Sequence, residues 1–160
     1  ESGGGHAMAA GFGLHKDQLE GFSRFLAARF ADLSGTIAGA FDLDLDALLA
    51  PSGATPEFVT EMERLGPFGA GNAEPLVVIP DARLVFADIV GKDHIRLRLT
   101  GADGTRLDAI SFRSAGTPLG EGLLAARGQL IHAAGKLRTD AWNGKIRVQL
   151  QLEDAALAGI

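Results

Sequence analysis

Apolar residues recur at Leu19, Phe22, Leu26, Phe30 and Leu33. This three- and four-residue spacing lines one face of a helix and predicts a helix over 16–33. The period then changes. Residues 36–41 form a short apolar, strand-like run, and Asp42-Leu43-Asp44-Leu45-Asp46 continues it with strict alternation, placing the three carboxylates on one face of a strand. They read as an acidic edge that discourages edge-to-edge pairing, with metal binding as the alternative. Residues 50–54 read as a loop. A second helix is expected from Thr55 as N-cap and Pro56 at the first helical position, with Phe58, Met62 and Leu65 as its apolar face and Gly66-Pro67 as its stop.

Breakers crowd residues 66–75, and the pattern beyond them is strand after strand. A domain boundary is therefore expected there: an α/β part over 1–66, a linker over 67–75 and a β domain over 76–160. In the β domain, 76–90 is a long apolar strand with a bend expected at Pro80-Asp81. Residues 91–93 are a turn, and 94–100 alternates with His94, Arg96 and Arg98 opposite Ile95, Leu97 and Leu99. Ala102-Asp103-Gly104 signals a hairpin into a third strand over 106–113. A short helical stretch over 119–127 precedes a fourth strand over 129–138, a loop over 140–144, and an alternating fifth strand over 145–152. Three strands, a helix and two strands is the order of an OB-fold, a small Greek-key barrel. The expected fold class is α+β.

Charge changes the picture. The net charge of −5 alone would argue against a polyanion ligand, but it is unevenly spread. Residues 1–75 hold four Lys/Arg against eleven Asp/Glu, a balance of −7; residues 76–160 hold eleven against nine, a balance of +2. Many OB-folds bind single strands on the second and third strands and with the loops joining strands 1–2 and 4–5. Those places carry Lys92, His94, Arg96, Arg98, Arg113, Arg138, Trp142, Lys145 and Arg147, so single-stranded nucleic acid is the expected partner. There is no cysteine, which excludes disulfides and zinc-thiolate sites and fits a reducing cytoplasm. No apolar run approaches the ~20 residues of a membrane span, and no signal-peptide pattern is seen, so neither a membrane partner nor leader removal is expected.

The run Gly3-Gly4-Gly5-His6 remains. Consecutive glycines can bring backbone N–H groups close to an anion, and a neighbouring histidine can donate to a phosphate; a merely flexible terminus is the alternative. The string from Gly3 to Gly11 (GGGHAMAAG) resembles the signature of the DHHA1 domain of the DHH phosphoesterase superfamily. With 65–75 (LGPFGAGNAEP), the Trp142-Asn143-Gly144 loop and the Gln149-Leu150-Gln151 ending, the chain is similar to the RecJ family of bacterial single-strand-specific DNA exonucleases. That resemblance implies a loop at Gly3, Gly4 and Gly5 closing on substrate, His6 assisting at the substrate phosphate, and 5′-to-3′ degradation of single-stranded DNA in repair and recombination. It also implies Mn²⁺ or Mg²⁺ in a preceding DHH domain of the same chain. None of that domain's metal motifs occurs here, and His6, His15, His94 and His132 lack ligand spacing. A binding fragment without a metal or cofactor of its own is therefore expected, inactive alone, with single-strand-binding protein as a candidate partner. Two alternatives stay open: a small-nucleotide phosphodiesterase, and a non-catalytic OB module that docks a protein.

Overall fold

The computed structural model describes residues 2–6, 9–33, 42–142 and 145–159, with the side chains of residues 2, 6, 32, 33, 142 and 145 left aside. The chain forms two compact units, Glu1–Leu43 and Asp44–Ile160. The expected strand over 36–41 lies outside the described residues.

In the first unit, β1 (Ser2–His6) pairs antiparallel with β2 (Ala9–Gly13), with Gly5 opposite Ala10. The glycine run is thus an extended strand, not a loop, and Gly3, Gly4 and Gly5 are not arranged as an anion-binding nest. Gly5 is small for a packing reason: a Cβ there would lie 2.7 Å from Ala10. A 3₁₀ turn, Lys16–Gln18, leads into α1 (Leu19–Leu33), as the spacing predicts. The Phe12 and Phe22 rings meet at 4.6 Å, while Leu19, Phe25 and Phe30 remain exposed.

The second unit begins much earlier than the breaker-rich segment suggests. Residues 42–46 are not a strand; Asp46 instead clamps the barrel edge, its carboxylate accepting from the Leu76 N–H at 2.8 Å while its own N–H donates to Leu76 O at 2.9 Å. β3 (Ala47–Leu48) then pairs parallel with the start of β4 (Val77–Val90). α2 (Pro56–Glu63) starts as its sequence dictates, with the Thr55 hydroxyl accepting from the Phe58 N–H at 3.2 Å and Pro56 in the first turn. Its buried contact is Val59, which joins the barrel core with Phe58 and Met62 packed beside it, whereas Leu65 is exposed. The expected boundary over 67–75 is therefore displaced: apolar burial ties 44–65 to the barrel. The supposed linker is itself folded, with Asn72 Nδ2 donating to the carbonyls of Leu65 and Pro67.

The barrel comprises β4, β5 (His94–Thr100), β6 (Arg106–Ser111), β7 (Leu130–Trp142) and β8 (Lys145–Leu157). Its strand order β4-β5-β6-β8-β7 closes through a β4–β7 pairing; β6 and β8 run parallel and the other pairs antiparallel. This is the OB arrangement. β4 breaks register between Ile79 and Ala82, where Asp81 adopts a φ of 49°, so the bend falls where Pro80 removes a ladder donor. Period-two alternation sends Ile79, Leu84, Ile95, Leu97, Leu99, Leu137 and Leu150 inward. Between β6 and β7, α3 (Pro118–Ala125), capped by the Thr117 hydroxyl, buries Leu123 against this core. The β7–β8 hairpin is longer than expected: β7 runs through the presumed loop to Trp142, and β8 continues to Leu157. Cross-strand pairing along the whole ribbon overrides the local turn signals at 140–142.

Candidate nucleic-acid interface

Alternation on β5 places Arg96 and Arg98 outward and Ile95, Leu97 and Leu99 in the core, with His94 half-buried at the strand start. Register extends this row across the barrel: Phe86 faces Arg98, Arg98 faces Asp108, Asp108 faces Gln149, and Gln149 faces Arg138. The structure thus brings Arg98 and Arg138, 40 residues apart in sequence, onto one circumferential row. A hollow of ≈170 Å³ opens on it, lined by Phe86, Arg96, Leu97, Arg98 and Asp108.

The positive charge of this surface is smaller than the residue count. Arg98 Nε donates to Asp108 Oδ1 at 2.7 Å, and the carboxylate's hydrogen bond holds the guanidinium's pKa above its ordinary value. Arg138 makes a two-pronged pair with Glu74, with Nη2 donating to Oε2 at 2.6 Å. This hydrogen bond, ahead of desolvation, which opposes it, holds the Glu74 carboxyl below its usual range. Lys136 Nζ lies 2.6 Å from Glu153 Oε1. Each of these cations is partly neutralised and held in place. Arg96 differs: its guanidinium lies 5.4 Å above the Phe86 ring, a cation–π contact that leaves its N–H groups available to an anion.

His94 is a structural anchor here more than a phosphate donor. Its Nδ1 accepts from the Arg113 N–H at 3.0 Å, and its ring meets Phe112 edge-on at 5.2 Å. That bond holds Arg113 at a φ of 53°, an uncommon conformation for a side-chain-bearing residue. Lys92 is exposed in the turn before β5, and Arg113 is exposed after β6. Arg147 is exposed on β8 opposite Asp140, and Lys145 pairs with Trp142 in backbone register; the side chains of Trp142 and Lys145 lie outside the described residues, as does that of His6. Gly3, Gly4 and Gly5 lie in the other unit. His132 accepts from the Asp81 N–H at 3.2 Å, a structural role at the bend of β4.

Two aromatic rings at this face escaped the sequence reading, Phe86 and Phe112. The signal for Phe86 was present as an aromatic inside an apolar run, but the register shift between Leu84 and Phe86 decides that it turns outward. Among the described residues, no three His, Cys, Asp or Glu side chains are grouped to hold a metal ion. The described residues therefore do not fit a divalent-metal centre.

Residues 45–154 match the family model described as the RecJ OB domain. The chain belongs to the RecJ OB domain family. It is 27% identical to the single-stranded-DNA-specific exonuclease RecJ of Bacillus subtilis over 97% of this chain, and 32% identical to that of Dickeya dadantii over 94%. It spans 19% and 25% of those relatives' lengths. The crystal structure of Thermus thermophilus RecJ in complex with Mn²⁺ superimposes with a TM-score of 0.62 at 26% identity, covering 99% of this chain and 22% of that one. The likeness to the RecJ relatives thus takes in the first unit as well as the barrel.

Proposed function

We propose that this chain is the single-strand-binding part of a RecJ-like 5′-to-3′ exonuclease of DNA repair and recombination. The observation that carries the reading is the outward row on β5 of an OB barrel in this family. There Arg96, stacked on Phe86, offers a planar cation beside an aromatic ring, the pairing that serves backbone and base of a single strand together. Lys92 and Arg113 flank the row and supply further phosphate contacts. The curated relatives are described as single-stranded-DNA-specific exonucleases, and a relative's crystal structure holds Mn²⁺. Metal-assisted hydrolysis in this reading belongs to a part of the enzyme beyond these residues, so the chain grips substrate and does not cut it. Residues 1–43 are read as the end of a DHHA1 domain, with His6 at the substrate phosphate.

Titration with labelled oligo-dT tests the binding role. Three phosphate contacts, at Lys92, Arg96 and Arg113, give a log–log salt slope of about −2, from about −0.7 per contact on single strands. Arg96→Ala should weaken binding more than Arg98→Ala, because Arg98 already spends its charge on Asp108. A flat salt dependence, or equal losses in the two variants, would remove this face as the DNA site.

A further inference from the structure

We propose that the hollow bounded by Phe86, Arg96 and Asp108 is a one-base subsite selective for guanine. This rests on the single-strand-binding reading and adds discrimination between bases to it. The volume of ≈170 Å³ corresponds to five or six waters at ~30 Å³ each, the scale of a single base. Its apolar wall is the Phe86 ring, with the Arg96 guanidinium 5.4 Å above it, so an entering planar group meets either the cation or the ring.

The polar wall decides what enters. Asp108 lines the hollow, and its Oδ1 is fixed by Arg98 Nε at 2.7 Å. A phosphate seated there would meet a like charge, whereas a neutral group with N–H donors would meet a held acceptor. A carboxylate has about four lone-pair sites, so both Asp108 oxygens can still accept with Arg98 in place. Of the four bases, guanine presents two adjacent N–H donors on its Watson–Crick edge, at N1 and N2, matching the two oxygens. Thymine's N3–H is flanked by carbonyls, and the amino groups of cytosine and adenine each sit beside a ring acceptor that a carboxylate repels. Cross-strand register keeps the elements together, since Phe86 and Asp108 are the two neighbours of Arg98.

The test is fluorescence anisotropy of the full 160-residue chain with a dT oligonucleotide carrying one central dG, inosine, dC, dA or dT, at fixed salt. A bidentate pair predicts that the dG oligonucleotide binds at least about fivefold tighter than all-dT. Inosine, which lacks the 2-amino group, should lose most of that gain. Asp108→Asn keeps an acceptor for Arg98 and should abolish the preference for dG over dT. Phe86→Leu should weaken all five oligonucleotides. Equal affinity for all five with a retained salt slope overturns the guanine subsite and leaves the binding reading standing, and so does a preference that survives Asp108→Asn. Salt-independent or absent binding overturns both.

Discussion

Glu74→Gln isolates the ion pair that fastens the segment before β4 to the barrel. In the folded chain the Glu74 carboxylate receives both prongs of Arg138, and its side chain is only 20% exposed against 40% for Arg138. Hydrogen bonds to charged groups contribute about 1.5–3 kcal/mol, but solvent reaches the arginine and screens the pair. A loss of about 1–2 kcal/mol at pH 7 follows, a drop in Tm of roughly 3–10 °C for a unit of this size. The pH dependence identifies the cause. Because the Arg138 hydrogen bond lowers the folded carboxyl pKa, its stabilisation is fully present above the unfolded value near 4.5 and disappears as pH falls through the folded value. The gap between wild type and variant should therefore be widest at neutral pH and close on acidification below about pH 4.5. Urea denaturation followed by circular dichroism at several pH values measures both midpoints. The variant also releases Arg138 toward DNA, so its oligo-dT salt slope should steepen by about 0.7. Equal stability of the two proteins at pH 7 would refute the pairing argument, and a gap that persists unchanged at acid pH would refute its electrostatic origin.

Val59→Ala should destabilise the barrel by about 1.5–3 kcal/mol, since it empties a fully buried site on α2; an unchanged barrel transition in denaturation would place α2 outside that cooperative unit. At Gly120 an added Cβ would stand 1.9 Å from the Ser114 carbonyl oxygen, so Gly120→Ala should cost about 3 kcal/mol or more, read as loss of folded signal at 37 °C. Trp142, the chain's single tryptophan, ends β7 opposite Lys145. As a stacking platform contributing about 1–3 kcal/mol per base, it should emit at long wavelength and quench on adding oligo-dT; a blue emission indifferent to saturating DNA would assign it to packing.

The alternation of β5, the Thr55-Pro56 start of α2, the stripe of α1 and the order of five strands and a helix were legible because each depends on residues close in sequence. Period and capping chemistry act within one element, so they survive being read without a fold. Residues 42–46 were not legible in this way: Asp42, Asp44 and Asp46 alternate like a strand, yet Asp46 is used as an acceptor for a backbone N–H 30 residues away. Likewise Gly66-Pro67 marked the end of α2, but the breakers at 66–75 did not mark a boundary, because burial of Val59 is a tertiary fact. The glycine run read as a loop closing on an anion or as a flexible terminus, and only its pairing with Ala9–Gly13 makes it a strand. At the candidate site, Arg96, Arg98 and Arg138 were equivalent cations in the sequence. Only cross-strand register and long-range contact gave Asp108 to Arg98 and Glu74 to Arg138, and placed the Phe86 ring beneath Arg96. Local sequence determined which side chains face outward; the closed barrel decided which of those charges remain available to a ligand, because a carboxylate's partner is chosen by proximity in space.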